Sequence, residues 1–251
     1  IMVIAQDTTY YGIDLYGRRR LAELLTALCR IDDIEWIRLH YAYPTAFPDD
    51  VIDVMASEPK ICKYLDIPFQ HISDRMLTAM KRRHTKADAL ALIERLRERI
   101  PDIALRTTLL VGYPTETEQD MQELEQFVRD VRFDRLGVFA YSEEEGTYSA
   151  RELRDDVPEE EKQRRVDRIM RLQEGISLEN NLARVGRTIR VIVDSRQGDY
   201  YVARSQYDSP EVDQEILIPA AAHQLRRGHF YDARITAAED YDLYGEVVPR
   251  R

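Results

Sequence analysis

The first 141 residues alternate between short β-type runs and longer stretches with helical periodicity. In residues 18–30, Leu21, Leu25 and Leu28 recur at spacings of three and four, which places them on one helix face. Such alternation predicts βαβ units, and therefore an α/β fold around a parallel sheet. The predicted strands are residues 2–5, 36–41, 64–69, 103–112 and 136–141, and the main predicted helices are 18–30, 85–99 and 117–131.

Polar or turn residues come directly after each predicted strand. They are Gln6-Asp7, Tyr43-Pro44, Gln70-His71, Gly112-Tyr113-Pro114 and Ser142-Glu143. Because ligand sites in parallel α/β folds lie at the carboxyl ends of the strands, we expect these five ends to converge on one site.

The last third of the sequence has a different pattern. Residues 158–184 form a charged helical stretch, and five short β-type runs follow at 188–194, 200–204, 215–219, 231–237 and 243–248. Closely spaced short strands of this kind predict a small antiparallel β-barrel of the OB-like type. We therefore predict a first domain at 1–157, a connector helix at 158–184 and a barrel domain at 185–251.

Charge and cysteine content restrict the function. The net charge is −10, and residues 184–251 contain 10 basic and 11 acidic residues, whereas a nucleic-acid binder usually has a basic face. The acidity favours a basic partner, or only keeps the protein soluble. The 2 cysteines, Cys29 and Cys62, are too few for a disulfide scaffold, a zinc finger or an iron–sulfur cluster. We expect both to be inert, in a reducing cytoplasm, and we expect no transmembrane helix.

Four phrases near the predicted strand ends are specific. They are IAQDTTYYG at residues 4–12, LDIPFQH at 65–71, RTTLLVGYPTET at 106–117 and YSEEEGT at 141–147. These phrases resemble the radical S-adenosylmethionine (SAM) methylthiotransferases, above all the RimO type, which methylthiolates an aspartate of a small-subunit ribosomal protein. The predicted C-terminal barrel resembles the TRAM domain of that family. The resemblance runs over nearly all 251 residues, in the family's order.

The resemblance implies SAM and two 4Fe–4S clusters as cofactors of the full-length protein. Family members have an N-terminal domain with three cluster cysteines, and their TIM-like (β/α) barrel opens with a Cys-x3-Cys-x2-Cys loop after the first strand. The run at residues 2–5 matches the second strand of that barrel, and neither cysteine set occurs here. We therefore expect a partial radical-SAM barrel preceded by missing sequence, with no cluster held by this chain and no activity from the fragment.

The same resemblance implies a SAM-binding set. Gln6 and Asp7 match the strand end that approaches the SAM amino group, and Gln70 matches a position that meets ribose or carboxylate. Arg106 is suited to the SAM carboxylate, since a guanidinium pairs with it bidentately. The positions that match the adenine contacts are Val111, Gly112, Phe139 and Tyr141. No residue of this chain is predicted to be catalytic or to bind metal, and His71 is open to a site role or a structural one.

The implied reaction replaces a C–H bond of the substrate aspartate by C–SCH3. The implied partner is a basic ribosomal protein held by the TRAM domain, with the chain a monomer and RNA binding not dominant. One alternative is a tRNA-adenosine methylthiotransferase, although the sequence Gln6-Asp7-Thr8-Thr9 differs from the Gln-Asn-Val-Asn of the tRNA enzymes. The other alternative is a non-catalytic module that binds a ribosomal protein.

Overall fold

The structure is a computed structural model that describes residues 1–249. The chain divides into two compact units, Ile1–Gln173 and a second unit that begins at Glu174. The division falls inside the longest helix, Glu159–Leu182. The limits of the predicted connector, 158 and 184, remain a prediction.

The first unit is built on a parallel sheet of five strands. The strands are β1 (Met2–Val3), β2 (Ile37–Leu39), β3 (Ile61–Asp66), β4 (Ala104–Val111) and β5 (Arg135–Ala140). Their order in the sheet follows their order in the chain, and every neighbouring pair is parallel. The predicted α/β fold with a parallel sheet is confirmed, although β1 and β2 are shorter than the patterns indicated.

Eight α-helices occur in the described residues. They are α1 (Ile13–Tyr16), α2 (Leu21–Cys29), α3 (Asp49–Ser57), α4 (Asp74–Ala79), α5 (Lys86–Arg99), α6 (Glu118–Val131), α7 (Tyr148–Glu152) and α8 (Glu159–Leu182). Both α5 and α6 begin with a capping box, in which Thr85 bonds with Asp88 and Thr117 with Asp120. These reciprocal bonds satisfy backbone N–H groups that a helix start would otherwise leave without partners.

The helices bury apolar stripes in the core of the first unit. In α6 the buried stripe includes Met121, Leu124 and Val128, at the predicted spacing. In α5 the buried stripe runs through Ala89, and Leu90 is 40% exposed. The helical pattern of residues 85–99 predicts that Leu90 lies inside with Ile93 and Leu96. For Leu90 this prediction is wrong, because Leu90 is rotated by about 100° from the buried Ala89 around the helix axis.

The second unit contains a closed barrel of five strands. They are β6 (Thr188–Gln197), β7 (Tyr200–Ser205), β8 (Ile216–Pro219), β9 (Phe230–Ala238) and β10 (Leu243–Val248), in the order β10-β8-β7-β6-β9. Four neighbouring pairs are antiparallel, whereas β8 and β10 are parallel. The predicted barrel is confirmed, but it is not wholly antiparallel. A ring with an odd number of strands cannot alternate direction all the way round, so at least one pair must be parallel.

The barrel interior is apolar. Val191, Ala203, Ile216, Ile235 and Leu243 are at most 1% exposed and belong to one cluster. Across the described residues, no helix has both the length and the apolar composition needed to cross a membrane.

Candidate functional site

Backbone hydrogen bonds tie together the loops that follow the five strands of the parallel sheet. Because all five strands run the same way, their carboxyl ends share one edge of the sheet. The bonds between neighbouring segments run from Thr8 N–H to the Tyr41 carbonyl, Ala42 to Asp66, Gln70 to Thr108 and Tyr141 to Val111, at 2.8–3.1 Å. The strand ends therefore form one continuous rim, and the convergence of these ends on one ligand site stays a prediction.

A cleft of about 310 Å³ opens beside the ends of β3 and β4. Gln70 lines it and has a left-handed backbone with φ of 68°. This conformation is held in place because Gln70 donates to the Thr108 carbonyl and accepts from the Leu110 N–H. The other lining residues are Met80, Lys81, Arg82, Leu110, Tyr113, Thr147, Tyr148 and Ser149.

The four residues matched to adenine contacts are exposed to different degrees. Phe139 is 60% exposed and lies opposite Leu110 in the β4–β5 register. Val111 is buried, and Tyr141 is buried edge-on against the Tyr113 ring at 5.1 Å between centroids. Only Phe139 of these three therefore offers a side chain to a ligand. Val111 and Tyr141 are suited to contacts through their backbone or to packing beneath the ligand.

The two residues after β1 differ in their partners. Gln6 is exposed. Asp7 caps the short 3₁₀ helix Thr8–Tyr10, and its Oδ1 accepts from the Thr9 N–H at 2.9 Å and from the Thr9 hydroxyl at 2.7 Å. One carboxylate oxygen of Asp7 is thus committed to the local turn. The roles of Gln6 and Asp7 toward the SAM amino group stay predictions.

Arg106 has a carboxylate partner within the chain. Its Nη1 donates to Asp66 Oδ1 at 3.2 Å, and its side chain is 18% exposed. Asp66, Arg106 and Arg135 lie side by side in the register of β3, β4 and β5, five residues before the end of β4. Arg106 therefore lies away from Val111 and Gly112 along the strand, and a role toward the SAM carboxylate stays a prediction.

His40 lies on the same sheet face as this charged row. The centroids of the His40 and Tyr64 rings lie 5.6 Å apart. The Arg38 guanidinium stacks on the same Tyr64 ring, 4.6 Å from its centroid. Burial lowers the pKa of His40 to about 4, and the positive charges of Arg38 and Arg106 add to the effect. His40 is therefore neutral at neutral pH.

This neutral histidine makes the stability depend on pH. Because the folded-state pKa lies below the unfolded value of 6.5, the unfolded chain takes up the proton first as the pH falls. We expect the His40 contribution to be complete above pH 6.5 and about 1–3 kcal/mol to be lost on the way to pH 4. Urea titrations across this range should show a smaller loss for His40→Gln than for the parent chain. Parallel curves for the two proteins would contradict the prediction.

A buried network that the sequence did not predict holds the loop after β4. His71 Nε2 lies 3.2 Å from Glu116 Oε1, and Arg165 Nη1 lies 2.5 Å from Glu116 Oε2. The Gly112 N–H also donates to Glu116 Oε2, at 2.7 Å. The side chains of His71 and Glu116 are 0% exposed. Glu116 therefore has three partners, drawn from separate parts of the first unit.

The hydrogen bonds of His71 define its protonation. Its Nδ1 accepts from the backbone N–H groups of Ile72 and Ser73, at 2.8 and 3.0 Å. The ring proton must then reside on Nε2, which donates it to Glu116. Of the two roles left open for His71, the geometry supports positioning of Glu116 and the Gly112 loop, because a fully buried ring cannot contact a ligand.

A second buried carboxylate lies at the start of α6. Asp120 Oδ1 accepts from the Ser73 hydroxyl at 2.6 Å, and Arg75 pairs with the same carboxylate. Burial alone would raise the pKa of Asp120, but hydrogen bonds from Arg75, Ser73 and Thr117 hold it well below its ordinary value. Asp120 therefore stays charged and fastens α6 to the segment that begins α4.

Helix α8 closes over Gly112. A Cβ atom added at Gly112 would lie 2.4 Å from Lys162 Cγ, and Gly112 has φ of 72°. Lys162 is buried, and its Nζ donates to Asp155 Oδ2 at 2.6 Å. Only glycine therefore satisfies both the backbone conformation and the close approach of the lysine.

The two cysteines lie in different elements of the first unit. Cys62 is buried in β3, and Cys29 is partly buried in α2. Burial raises the pKa of the Cys29 thiol, which disfavours the reactive thiolate. Within residues 1–249, no three His, Cys, Asp or Glu side chains are grouped as metal ligands would be.

Comparison with known proteins gives matches along both units. The model of the radical SAM superfamily matches residues 2–128, and that of the TRAM domain matches residues 185–248. The curated relative "Ribosomal protein uS12 methylthiotransferase RimO" of Bacteroides thetaiotaomicron is 52% identical over 246 residues, 98% of this chain and 56% of that protein. The protein of the same name from Porphyromonas gingivalis is 53% identical over 247 residues, 98% of this chain and 57% of that protein.

The chain spans a little over half the length of the curated relatives that it matches, 56% and 57% for these two. The superfamily match covers half of the chain, and the parallel sheet described above lies largely within it. The closed barrel lies within the TRAM match. The chain therefore belongs to the radical SAM superfamily and carries a TRAM domain.

Proposed function

We propose that this chain is the SAM-binding and substrate-docking part of an enzyme that methylthiolates an aspartate of ribosomal protein uS12. One observation carries the proposal: about 52% identity to proteins named as uS12 methylthiotransferases extends over 98% of the chain. An identity that runs through both the parallel sheet and the barrel supports a shared substrate as well as a shared fold.

One SAM molecule, when bound and cleaved by an electron that this chain's residues do not supply, would provide the radical that removes the hydrogen of an unactivated C–H bond, and a second SAM molecule would provide the methyl group of the product. The rim of the sheet fits such a ligand. Gln70 offers an amide on a fixed backbone, and Phe139, opposite Leu110 in the β4–β5 register, offers an exposed ring. The Gly112 N–H is held by Glu116, and the Val111 carbonyl accepts from the Tyr141 N–H. We assign Gln70, Phe139, Val111 and Gly112 to SAM. Tyr141 packs beneath them.

The chain's cysteines do not fit a 4Fe–4S cluster. Such a cluster takes three or four thiolates, and the chain has only Cys29 and Cys62, one in a helix and one inside the sheet. We assign no step of the reaction to a cluster held by these residues.

The TRAM unit is the part that we assign to docking of the basic substrate. Its acidic residues include Glu211, Asp213 and Glu215, and opposite charges speed the encounter with a basic protein. Asp208, which also belongs to this acidic stretch of the sequence, is 0% exposed and bonds with the Ser205 hydroxyl. Asp208 therefore stabilises a turn and contributes no surface charge.

The docking role can be tested by the rate of association with purified uS12. We expect the triple variant Glu211→Gln, Asp213→Asn and Glu215→Gln to associate several-fold more slowly at low salt, with a flatter salt dependence. Each rim charge should contribute about 0–1 kcal/mol, which is why three are changed together. Stopped-flow measurements from low to physiological salt would show both effects.

A matched control removes three exposed acids of the first unit, with Glu94→Gln, Glu98→Gln and Asp102→Asn. This variant has the same net charge as the first, so it should associate close to the parental rate if the position of the charges matters. Equal rates for the two triple variants would count against docking on the TRAM unit. If the parent bound tRNA more tightly than uS12, the tRNA-modifying alternative would replace the proposal.

The alternative to an enzyme is a non-catalytic module that only binds a ribosomal protein. The chain lengthened by the upstream part of a curated relative and supplied with iron and sulfide should cleave SAM under anaerobic, reducing conditions. Binding of uS12 without SAM cleavage by that longer protein would support the module.

A further inference from the structure

A cleft of about 270 Å³ opens on the outside of the closed barrel. It lies between the β6–β7 hairpin and the loop that leads into β8. The polar residues that line it include Asp194, Arg204, Glu211, Asp213, Gln214 and Glu215. Four of these six residues, Asp194, Glu211, Asp213 and Glu215, carry carboxylates.

Gln214 is the unusual member of this lining. Its side chain is 6% exposed, and neither its Nε2 nor its Oε1 has a hydrogen-bond partner among residues 1–249. Buried amides are almost always hydrogen-bonded, because burial of an unpaired donor or acceptor is costly. An unpaired amide in the wall of a cleft therefore indicates that a ligand completes the site.

The charges around Gln214 favour a cation. Arg204 Nε pairs with Asp194 Oδ2 at 2.8 Å, so these two charges offset each other. Glu211 and Glu215 also line the cleft, and among the residues that the structure describes Arg227 is the one further cation in its lining.

Two observations about these carboxylates refine the charge balance. Burial raises the pKa of Glu215, and the carboxylates of Asp242 and Asp194 raise it further. Asp213 accepts from the Ser209 N–H at 2.8 Å, which fixes its carboxylate in the loop. Burial and the neighbouring carboxylates thus disfavour the charged form of Glu215, and a cationic ligand beside it would stabilise that charged form.

We propose that this cleft binds the guanidinium group of one arginine side chain from the basic protein partner. Gln214 Oε1 and the Glu215 carboxylate accept its N–H groups. A guanidinium fits better than an ammonium, because its planar fork can reach an amide oxygen and a carboxylate together. The identity of the partner as uS12 rests on the proposed function, whereas the arginine site rests on the cleft.

The first test uses small probes and the whole chain. We expect N-acetylarginine methylamide to shift the side-chain amide signal of Gln214 in a saturable way in ¹H–¹⁵N spectra. N-acetylcitrulline methylamide, which has nearly the same shape without the charge, and N-acetyllysine methylamide should leave that signal in place. The signal is assigned by its loss in Gln214→Leu.

Variants then connect the shift to the cleft. Glu215→Gln is expected to weaken arginine binding about fivefold, whereas Glu246→Gln, an equal charge change at an exposed position of β10, should leave it unchanged. Gln214→Leu should weaken binding as well. Because this variant lacks the side-chain amide, its binding is measured from the backbone amide signals of residues 209–215. If Gln214→Leu does not fold, Glu215→Gln still decides the matter. Equal shifts with citrulline or lysine, or no shift with arginine, would overturn the proposal.

Association with uS12 separates this proposal from the function on which it rests. If uS12 binds the parent chain and also binds Glu215→Gln and Gln214→Leu equally well, the arginine site is wrong and the proposed partner stands. If arginine shifts the Gln214 signal but uS12 does not bind, the site stands and the proposed partner is wrong. Slower binding of uS12 to both variants supports the two together.

Discussion

Replacing Glu116 by glutamine is expected to lower the free energy of unfolding by about 3–5 kcal/mol, the cost of breaking a buried ion pair by removing one partner. The carboxylate is 0% exposed and accepts from Arg165 and Gly112, with His71 on its other oxygen. A neutral amide removes the negative charge that compensates the buried Arg165 guanidinium. The NH₂ group of the glutamine would also face N–H donors, because the partners of Glu116 donate hydrogen bonds to it. Urea unfolding at neutral pH measures the effect.

Glu118→Gln is the matched control for this prediction. Glu118 also pairs with an arginine of α8, Arg168, but its side chain is 55% exposed. Exposed ion pairs contribute little, so we expect a loss below about 1 kcal/mol. Similar losses for Glu116→Gln and Glu118→Gln would mean that burial of the Glu116 network does not determine its strength.

Gly112→Ala is expected to cost about 2–5 kcal/mol, from two separate causes. An alanine with φ of 72° pays about 1–2 kcal/mol for the left-handed backbone. The new methyl group also meets Lys162, which is buried and ion-paired with Asp155, and overpacking of this kind costs about 1–3 kcal/mol. Urea unfolding of the variant would measure the sum.

Gly146→Ala separates the two causes. Gly146 has φ of 81°, yet nothing lies within 4 Å of an added Cβ atom. Its replacement should therefore show the backbone cost alone, about 1–2 kcal/mol. If Gly112→Ala and Gly146→Ala lost the same free energy, the contact with Lys162 would have no energetic weight.

Local patterns predicted the elements of this chain well. The capping start at Thr85 and Asp88 involves residues three apart, so the sequence displays both partners together. The five barrel strands were predicted in place because each is bounded by its own turn signals. The parallel pairing of β8 with β10 could not be seen in this way, since it joins strands that are separated by β9 in the chain.

The sequence predicted the rim of strand ends and did not predict the side chains that support it. The strand ends at Gln70 and Gly112 lie on one rim, as parallel strands require. The bond between Glu116 and Arg165 joins residues 49 apart, and no spacing rule relates them. The one signal available in the sequence was Glu116 itself, an acid shortly after the end of β4.

Histidines were harder to place than carboxylates. His84 follows the basic residues Lys81, Arg82 and Arg83, a pattern that predicts a solvent-exposed loop. The structure contradicts this prediction, because His84 is 3% exposed and packs edge-on near Tyr43 and Phe69. A histidine is apolar enough when neutral to pack against aromatic rings, and burial lowers the pKa of His84 further. Composition alone does not distinguish this case from an exposed histidine.

The contacts of Lys162, Arg165 and Gln173 with the rest of the first unit restrict where two related proteins can be recombined within α8. A chain cut at residue 157 would lose Arg165, the guanidinium partner of Glu116, and Gln173, whose Nε2 donates to the Phe133 carbonyl at 2.9 Å. Chimaeras between relatives should therefore fold when the crossover lies after Gln173, within α8, and not when it lies in the loop between α7 and α8. Recombination would then transfer the TRAM barrel together with the last turns of α8, and leave the first turns with the sheet that they complete.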